Sequence, residues 1–442
     1  MKQLSEKLKR LKHRLKEWNK ESFGNIFEHL SQAEAAVRQA ERTYDNYPTD
    51  HNLMAMNQCT AKLQQALTIE EDFWRQKSAC KWVLEGERNT RYFHSLVRKK
   101  RARTTLSSIT HDDRILTDVQ QIRDSGVQFF QTLLTVERDR EEVIQQVVFK
   151  LINVEQGLVL VKQTNIDEVT RVVFDMTAES TLGPGGFNGF FFQQCWKIIK
   201  HDVIEAVQDF LNGTLLPISF TATTIILIRK VNNPTQWSNF RPKSLCNTAN
   251  KILTKLINDR LKLFLPNMVV SNQSGFVPKR LIGDNILLTQ EIMHCIAASK
   301  KGWNVALKLD MAKAYDRVNR DFLEDILRQL GFPEKLILLI RNCTDNCWFS
   351  ILINGALSGF FKSTRGLRQG DPLSPTLFVL ASEFLSRGLN HLFKSNKGLA
   401  FKGSEGISHL AYADDVLIFT NSNEGGLKMI MEFLHGFEKE SG

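Results

Sequence analysis

The 442-residue chain is 42% hydrophobic and 24% charged, which is enough apolar material for one or more cores and excludes a disordered, collagen-like or disulfide-stapled molecule. Its 58 Lys and Arg against 48 Asp and Glu leave a net charge of +10, and residues 1–103 hold 21 basic against 13 acidic side chains. A basic segment ahead of a near-neutral body points to an anionic partner, nucleic acid first, with a solvated helix surface as the plainer explanation.

Leu4, Leu8, Leu11, Leu15 and Trp18 step by four and three, which predicts an amphipathic helix. Ser22-Phe-Gly-Asn25 interrupts it. Ile26, Leu30, Ala33, Val37, Ala40 and Tyr44 resume the spacing up to Pro48, so the two helices are expected to form a hairpin, although a coiled-coil scaffold has the same period. A third helical stretch is expected over 50–95, running through Trp82-Val-Leu-Glu-Gly-Glu-Arg-Asn-Thr-Arg-Tyr-Phe-His94. The basic run that follows (Arg98, Lys99, Lys100, Arg101 and Arg103) would contact phosphates, with Tyr92 and Phe93 offering stacking surfaces. It serves equally as a nuclear-import signal or a solvated helix end.

From about Thr104 the texture changes to a mixed α and β pattern, with β-prone pieces at 105–110, 221–228, 305–309, 349–353 and 417–420. Gly183-Pro-Gly-Gly-Phe-Asn-Gly189 is a turn cluster without the Lys of a phosphate-binding loop. The seven cysteines (59, 80, 195, 246, 295, 343 and 347) have no zinc-type spacing, which predicts reduced thiols in an intracellular protein. No apolar run approaches bilayer length, and the Lys-rich N-terminus lacks a signal-like apolar stretch, so no membrane partner and no secretion are expected.

Three acidic contexts carry the chemistry. Period-2 alternation in Val305-Ala-Leu-Lys-Leu-Asp310 puts Leu307 and Leu309 on one face and Lys308 and Asp310 on the other, with Asp310 at the end of the strand. In Ser408-His-Leu-Ala-Tyr-Ala-Asp414-Asp415-Val-Leu-Ile-Phe419 two apolar runs flank an acidic tip, a hairpin with carboxylates at its turn. Thr364-Arg-Gly-Leu-Arg-Gln369-Gly370-Asp-Pro372 is an open loop ahead of an apolar helix. Each alone is an ordinary turn or cap. In this order they suit nucleotidyl transfer: three carboxylates on two adjacent strands can hold a pair of hard divalent cations about 3.5–4 Å apart.

In these motifs the chain resembles the reverse transcriptases of LINE-type (non-LTR) retrotransposons, in their plant form. Lys308–Val318, Arg365–Phe378 and Tyr412-Ala-Asp-Asp415 resemble the family's palm motifs. Phe240-Arg-Pro-Lys-Ser-Leu-Cys-Asn247 and Asn272-Gln-Ser-Gly-Phe-Val-Pro-Lys-Arg280-Leu-Ile-Gly-Asp-Asn285 resemble its fingers motifs, and Leu15–Phe27 and Trp82–His94 the segment before the polymerase. The resemblance implies an α+β right-hand polymerase: palm and fingers, with an antiparallel palm sheet and packed helices, preceded by an α-helical arm. The expected divisions are a basic helical arm at 1–103, a connecting region and the start of the fingers at 104–214, and fingers and palm at 215–442.

By the same resemblance Asp310, Asp414 and Asp415 would be the catalytic metal ligands for two Mg²⁺, with Mn²⁺ as a substitute. Tyr315 would exclude a ribose 2′-hydroxyl, Gln369 and Gly370 would contact the incoming nucleotide, and Arg241 and Arg280 would meet phosphate or template. The expected partners are an RNA template, a DNA primer or target and dNTPs, in the nucleus or the cytoplasm. The chain departs from the family pattern at Glu87, Gly185, Arg229, Lys243 and Lys279. By this resemblance the chain is expected to lack the endonuclease motifs before the polymerase and the Lys-bearing motif and thumb after it. The alternatives are a catalytically impaired nucleic-acid-binding remnant, a group II intron maturase with the same palm chemistry, or a coiled-coil protein, which would explain only residues 1–45.

Overall fold

The computed structural model describes residues 1–78, 90–135, 147–294, 303–401 and 406–442. They divide into two compact units, Lys7–Ser107 and Met1–Glu6 with Ser108–Gly442.

The first unit is helical: α1 (Lys2–Ser22, its first turn counting with the other unit), α2 (Ile26–Asn46), α3 (Asp50–Ser78) and α4 (Thr90–Thr104). Gly24 takes φ +50° at the break after α1, and Asn25 caps α2 by accepting from the Phe27 amide at 3.2 Å. The expected hairpin forms one step later than the periodicity indicated. It is α3 that lies along α2, with Phe27 ring-packed on Phe73 and Trp74 at 5.7 and 5.8 Å. On α1, Leu11, Leu15 and Trp18 remain exposed. The single helix expected over 50–95 is α3 and α4, and the stretch between them, including Cys80 and Glu87, lies outside the described residues.

In the second unit β1 (Ile109–His111) pairs with β2 (Arg114–Leu116), so the strand expected from 105 begins four residues later, after α4 has ended. Helix α5 (Val119–Thr135) backs a four-stranded sheet of order β4-β3-β6-β7, made of β3 (Ala222–Arg229), β4 (Phe240–Cys246), β6 (Trp348–Ile353) and β7 (Ala356–Lys362). This sheet is mixed, because β3 runs parallel to β6 while the other pairs are antiparallel. Trp237 fills the space beside it, fully buried against Phe130 and Phe240, with its indole N–H donating to Ser125 Oγ at 3.3 Å.

The remaining strands, β5 (Asn304–Asp310), β8 (His409–Tyr412) and β9 (Asp415–Asn421), make an antiparallel sheet of order β5-β9-β8. Both of its faces are covered. Leu307, Leu309, Ala411, Val416 and Ile418 pack with Leu385, Leu389 and Ile430 of the helices Ser374–Ser395 and Glu424–Ser441. Ala306, Leu410, Leu417 and Phe419 pack on the other side with Ile292 of the helix Ile282–His294 and with Phe401. Burial on both faces explains why Leu410-Ala411 on β8 and Val416–Phe419 on β9 are continuous apolar runs rather than alternating ones. The second unit is thus α+β, and its carboxylate-bearing sheet is antiparallel. Among the described residues Cys59, Cys195, Cys246, Cys343 and Cys347 are free thiols; burial pushes Cys246 up to about 12, so it is inert. Cys295 lies outside them.

Candidate active site

The antiparallel register sets Asp310 directly across from Asp415, and the two-residue turn Ala413-Asp414 joins Tyr412 to Asp415. All three carboxylates are exposed at one end of the sheet. Directly opposed like charges destabilise a strand pair, since Cβ atoms there lie only about 5 Å apart. The relief on hand is Lys308, whose Nζ stands 3.7 Å from Asp415 Oδ1; both side chains are mostly exposed, so the pair is weak.

The donor set is all hard oxygen, which suits Mg²⁺ rather than zinc. As the side chains stand, no group of three His, Cys, Asp or Glu among the described residues is close enough to hold an ion. Register therefore brings the three backbone positions together, while cation binding requires the side chains to turn inward and Asp415 to leave Lys308. The residues fit a divalent cation by chemistry and by register.

Beside the carboxylates, Lys313 enters a short helical turn, Ala314–Arg317, from φ +56°. Tyr315 in that turn stacks on Phe378 with ring centroids 4.7 Å apart and planes 16° from parallel. Burial, and then the Asp414 charge, push its hydroxyl above the ordinary range. The Gln369 loop is tied to the same turn: the Leu367 amide donates to Tyr315 O at 2.7 Å and the Gly366 amide to Val318 O at 2.9 Å. Gly370 has φ +118°, and a Cβ there would meet Ser244 O at 2.9 Å, so glycine is required. On β4, Arg241 and Lys243 are both exposed, two residues apart and hence on one face, with Lys243 beside Gly370.

Two groups that the motif reading passed over sit in this pocket. Gln369 Nε2 donates to Asp316 Oδ1 at 3.0 Å, while Asp316 Oδ2 is buried without a hydrogen-bond partner. Burial pushes the Asp316 carboxyl up to about 6, against the opposing pull of Gln369, Lys313, Lys230 and Arg317. Burial likewise pulls the Lys313 ammonium down to about 8, where it lies over the Phe129 ring at 4.2 Å. Asp316 falls one residue after Tyr315 in a run where several polar residues compete for notice, and only its burial singles it out.

The other expected site residues are elsewhere. Arg280 is not open to a phosphate: its Nη1 and Nη2 donate to the carbonyls of Val270, Gln273, Pro266 and Val269 at 2.6–3.0 Å. Four of its five donors are thereby engaged in holding the chain ahead of the helix Ile282–His294. In the helical unit Arg98, Lys99, Lys100 and Arg103 are exposed on α4, and the side chain of Arg101 is outside the described set. Phe93 is no stacking platform. It is buried with Trp74 and Val97, and Tyr92 packs on that cluster, because residues 93 and 97 share the inward face of α4.

Opposed strand-end carboxylates, an aromatic side chain beside them and a glycine-opened loop define the palm of a nucleotidyl-transferring polymerase. Residues 228–442 match the family described as reverse transcriptase (RNA-dependent DNA polymerase). A Xenopus laevis protein named for transposon TX1 is 28% identical over 348 residues, which cover 77% of this chain and 26% of that protein. The RNA-directed DNA polymerase from mobile element jockey of Drosophila melanogaster is 26% identical over 55% of this chain and 26% of its own length. An uncharacterized mitochondrial protein of Arabidopsis thaliana is 47% identical over 75 residues, 16% of this chain and 61% of that protein. Residues 228–442 thus match a reverse transcriptase domain, and longer stretches of the chain are similar to proteins of the transposable elements TX1 and jockey. It spans about a quarter of the length of the TX1 and jockey relatives. Reverse transcriptases as a family use divalent cations, RNA templates, primers and dNTPs. No helix among the described residues is long and apolar enough to cross a membrane.

Proposed function

We propose that this chain is an RNA-directed DNA polymerase that adds dNTPs to a primer 3′-hydroxyl on an RNA template, with Asp310, Asp414 and Asp415 holding two Mg²⁺. The observation that carries this reading is the register pairing of Asp310 with Asp415 beside the Asp414 turn, inside a domain of the reverse transcriptase family. When bound, the cations would supply Lewis-acid activation of the 3′-hydroxyl and neutralise charge on the α-phosphate and the departing pyrophosphate. The 3′-oxygen attacks the α-phosphorus, the bond to the β-phosphate oxygen breaks, and the hydroxyl proton passes to solvent.

The chain's own side chains orient the reactants. The Tyr315 ring, fixed by its stack on Phe378, stands beside the Asp414 turn, where bulk would exclude a 2′-hydroxyl. Gln369 and Gly370 offer the incoming nucleotide an amide and open backbone, and Arg241 with Lys243 supplies positive charge for phosphates. The basic run on α4 would hold RNA through its phosphates, and it supports a nuclear site of action for an element of the plant kind. The plant assignment draws on the similarity to the Arabidopsis thaliana protein.

The deciding experiment is primer extension on an RNA template with dNTPs and Mg²⁺, with Asp414→Asn as the control. Extension that disappears in the variant while RNA affinity is retained supports the proposal. Undiminished extension by Asp414→Asn would refute the metal assignment. Wild-type protein that binds RNA without extending it would mark a nucleic-acid-binding remnant.

A further inference from the structure

We infer that Gln273 is a positioning residue for the Ala413-Asp414 turn: its side-chain amide holds the carboxylate-bearing hairpin in the shape that binds a divalent cation. The inference rests on the metal assignment just proposed.

Gln273 lies in the segment Asn272–Gly275, which no motif argument connected to the carboxylates. Its side chain is fully buried. Oε1 accepts from the Ala413 amide at 2.9 Å and from the Gly275 amide at 2.7 Å, and Nε2 donates to Ala413 O at 3.3 Å. One side-chain amide therefore grips both polar groups of the residue that opens the turn. The backbone follows suit: the Ala411 amide donates to Asn272 O at 2.8 Å and the Ser274 amide to Ala411 O at 3.0 Å, so the segment runs beside β8 like an added strand. Asn285 Nδ2 donates to the same Ala411 O at 2.9 Å, and Ser274 Oγ donates to Asn285 Oδ1 at 2.8 Å.

This grip answers two needs of the turn. Ala413 has φ +56°, the left-handed region that alanine rarely adopts and that glycine or asparagine would fill without strain. Such a conformation persists only where its surroundings over-determine it, and Gln273 is the side chain that fixes both ends of the residue. Then Asp414 and Asp415, which follow at once, are exposed carboxylates of like charge that favour splaying apart. A turn clamped from behind fixes the backbone positions from which both side chains can turn inward onto a cation. Gly275 presses from the same side: a Cβ there would overlap the Ala413 amide nitrogen, so any side chain must displace the turn.

The test compares Gln273→Leu, Gln273→Glu and Gly275→Ala with wild type and Asp414→Asn in the full chain. Mn²⁺ binding, followed by the electron paramagnetic resonance of the free ion, gives a readout that needs no turnover. Loss of a group that orients metal ligands weakens affinity or activity about 10- to 100-fold. Gln273→Leu and Gly275→Ala should each weaken Mn²⁺ binding by that factor, raise the Mg²⁺ concentration for half-maximal extension and lower kcat, with KM for dNTP little changed. Gln273→Glu retains both acceptor bonds but loses the donor to Ala413 O, so its affinity should fall between those of Gln273→Leu and wild type. If Gln273→Leu does not fold, Gly275→Ala decides alone. Wild-type Mn²⁺ affinity in the folded variants would overturn the clamp, as would a wild-type chain that binds no Mn²⁺. Mn²⁺ binding that needs Asp414 and Gln273, in a chain that extends no primer, would leave the clamp standing and refute the polymerase reading.

Discussion

Asp316→Asn tests the pocket where burial and function pull against each other. The Asp316 carboxyl sits at about 6 in the folded chain, against an ordinary value of 3.8, chiefly because it is buried. A raised carboxyl favours the protonated fold. Below pH 3.8 it is neutral in both states and costs nothing; between 3.8 and 6 the unfolded chain loses the proton first, so stability falls as pH rises. Above 6 the full penalty is present. Two units of difference correspond to about 3 kcal/mol at neutral pH, and to about half that at pH 5. Asparagine removes the titration but places an N–H₂ where Oδ2 now lies unpartnered, a fixed loss of about 1–3 kcal/mol that does not depend on pH.

The pH dependence is therefore the clean signal. Measured by denaturant unfolding, the stability of Asp316→Asn relative to wild type should improve by about 1.4 kcal/mol between pH 5 and pH 7.5. The same change weakens the hold on Gln369, whose Nε2 donates to a charged carboxylate oxygen in wild type and to a neutral amide oxygen in the variant. KM for dNTP should rise in the variant at neutral pH, and in wild type as the pH falls through about 6. A stability difference that stays constant across that range would show that Asp316 carries no buried charge, and the account of the pocket would fall with it.

Tyr315→Ala should leave dNTP extension within about tenfold of wild type and raise ribonucleotide incorporation, because the ring held against Phe378 would no longer block a 2′-hydroxyl; single-nucleotide kinetics with dNTP and rNTP would expose unchanged discrimination. Neutralising Arg98, Lys99 and Arg103 on α4 should reduce the slope of log affinity against log salt for RNA by about two to three, and an unchanged slope returns the run to a solvated surface. Trp237→Ala should cost about 3–5 kcal/mol of stability by opening a cavity among Phe130, Phe240 and Ser125, read as a drop in denaturation midpoint; a loss under about 1 kcal/mol would mean the site refills.

Local order on the chain was enough to locate the carboxylates. The alternation through Leu307, Leu309 and Asp310, and the two apolar runs around Asp414-Asp415, are short-range patterns that a strand and a hairpin impose on any sequence that forms them. The same holds for the break at Gly24 and the cap at Asn25. Asn354-Gly355, with φ +50° and +77°, joins β6 to β7 in a two-residue turn and was equally readable, though the pattern of apolar residues drew notice only to β6.

What the tertiary structure alone decided are pairings between residues far apart in the chain. Periodicity marks which face of α2 is apolar but not which helix covers it, and α3 does so rather than α1. Phe93 looked available for stacking because its partner Trp74 is nineteen residues away. Arg280 looked available for phosphate until four carbonyls between Pro266 and Gln273 closed around it. Gln273 and Asp316 gained their roles only when folding brought the Ala413 turn and the Gln369 loop against them. A strand or turn writes its requirement into neighbouring residues, whereas a buried hydrogen bond across a hundred residues leaves on each partner only an ordinary amide or carboxylate, which is why the carboxylates could be read in advance and the groups that hold their surroundings could not.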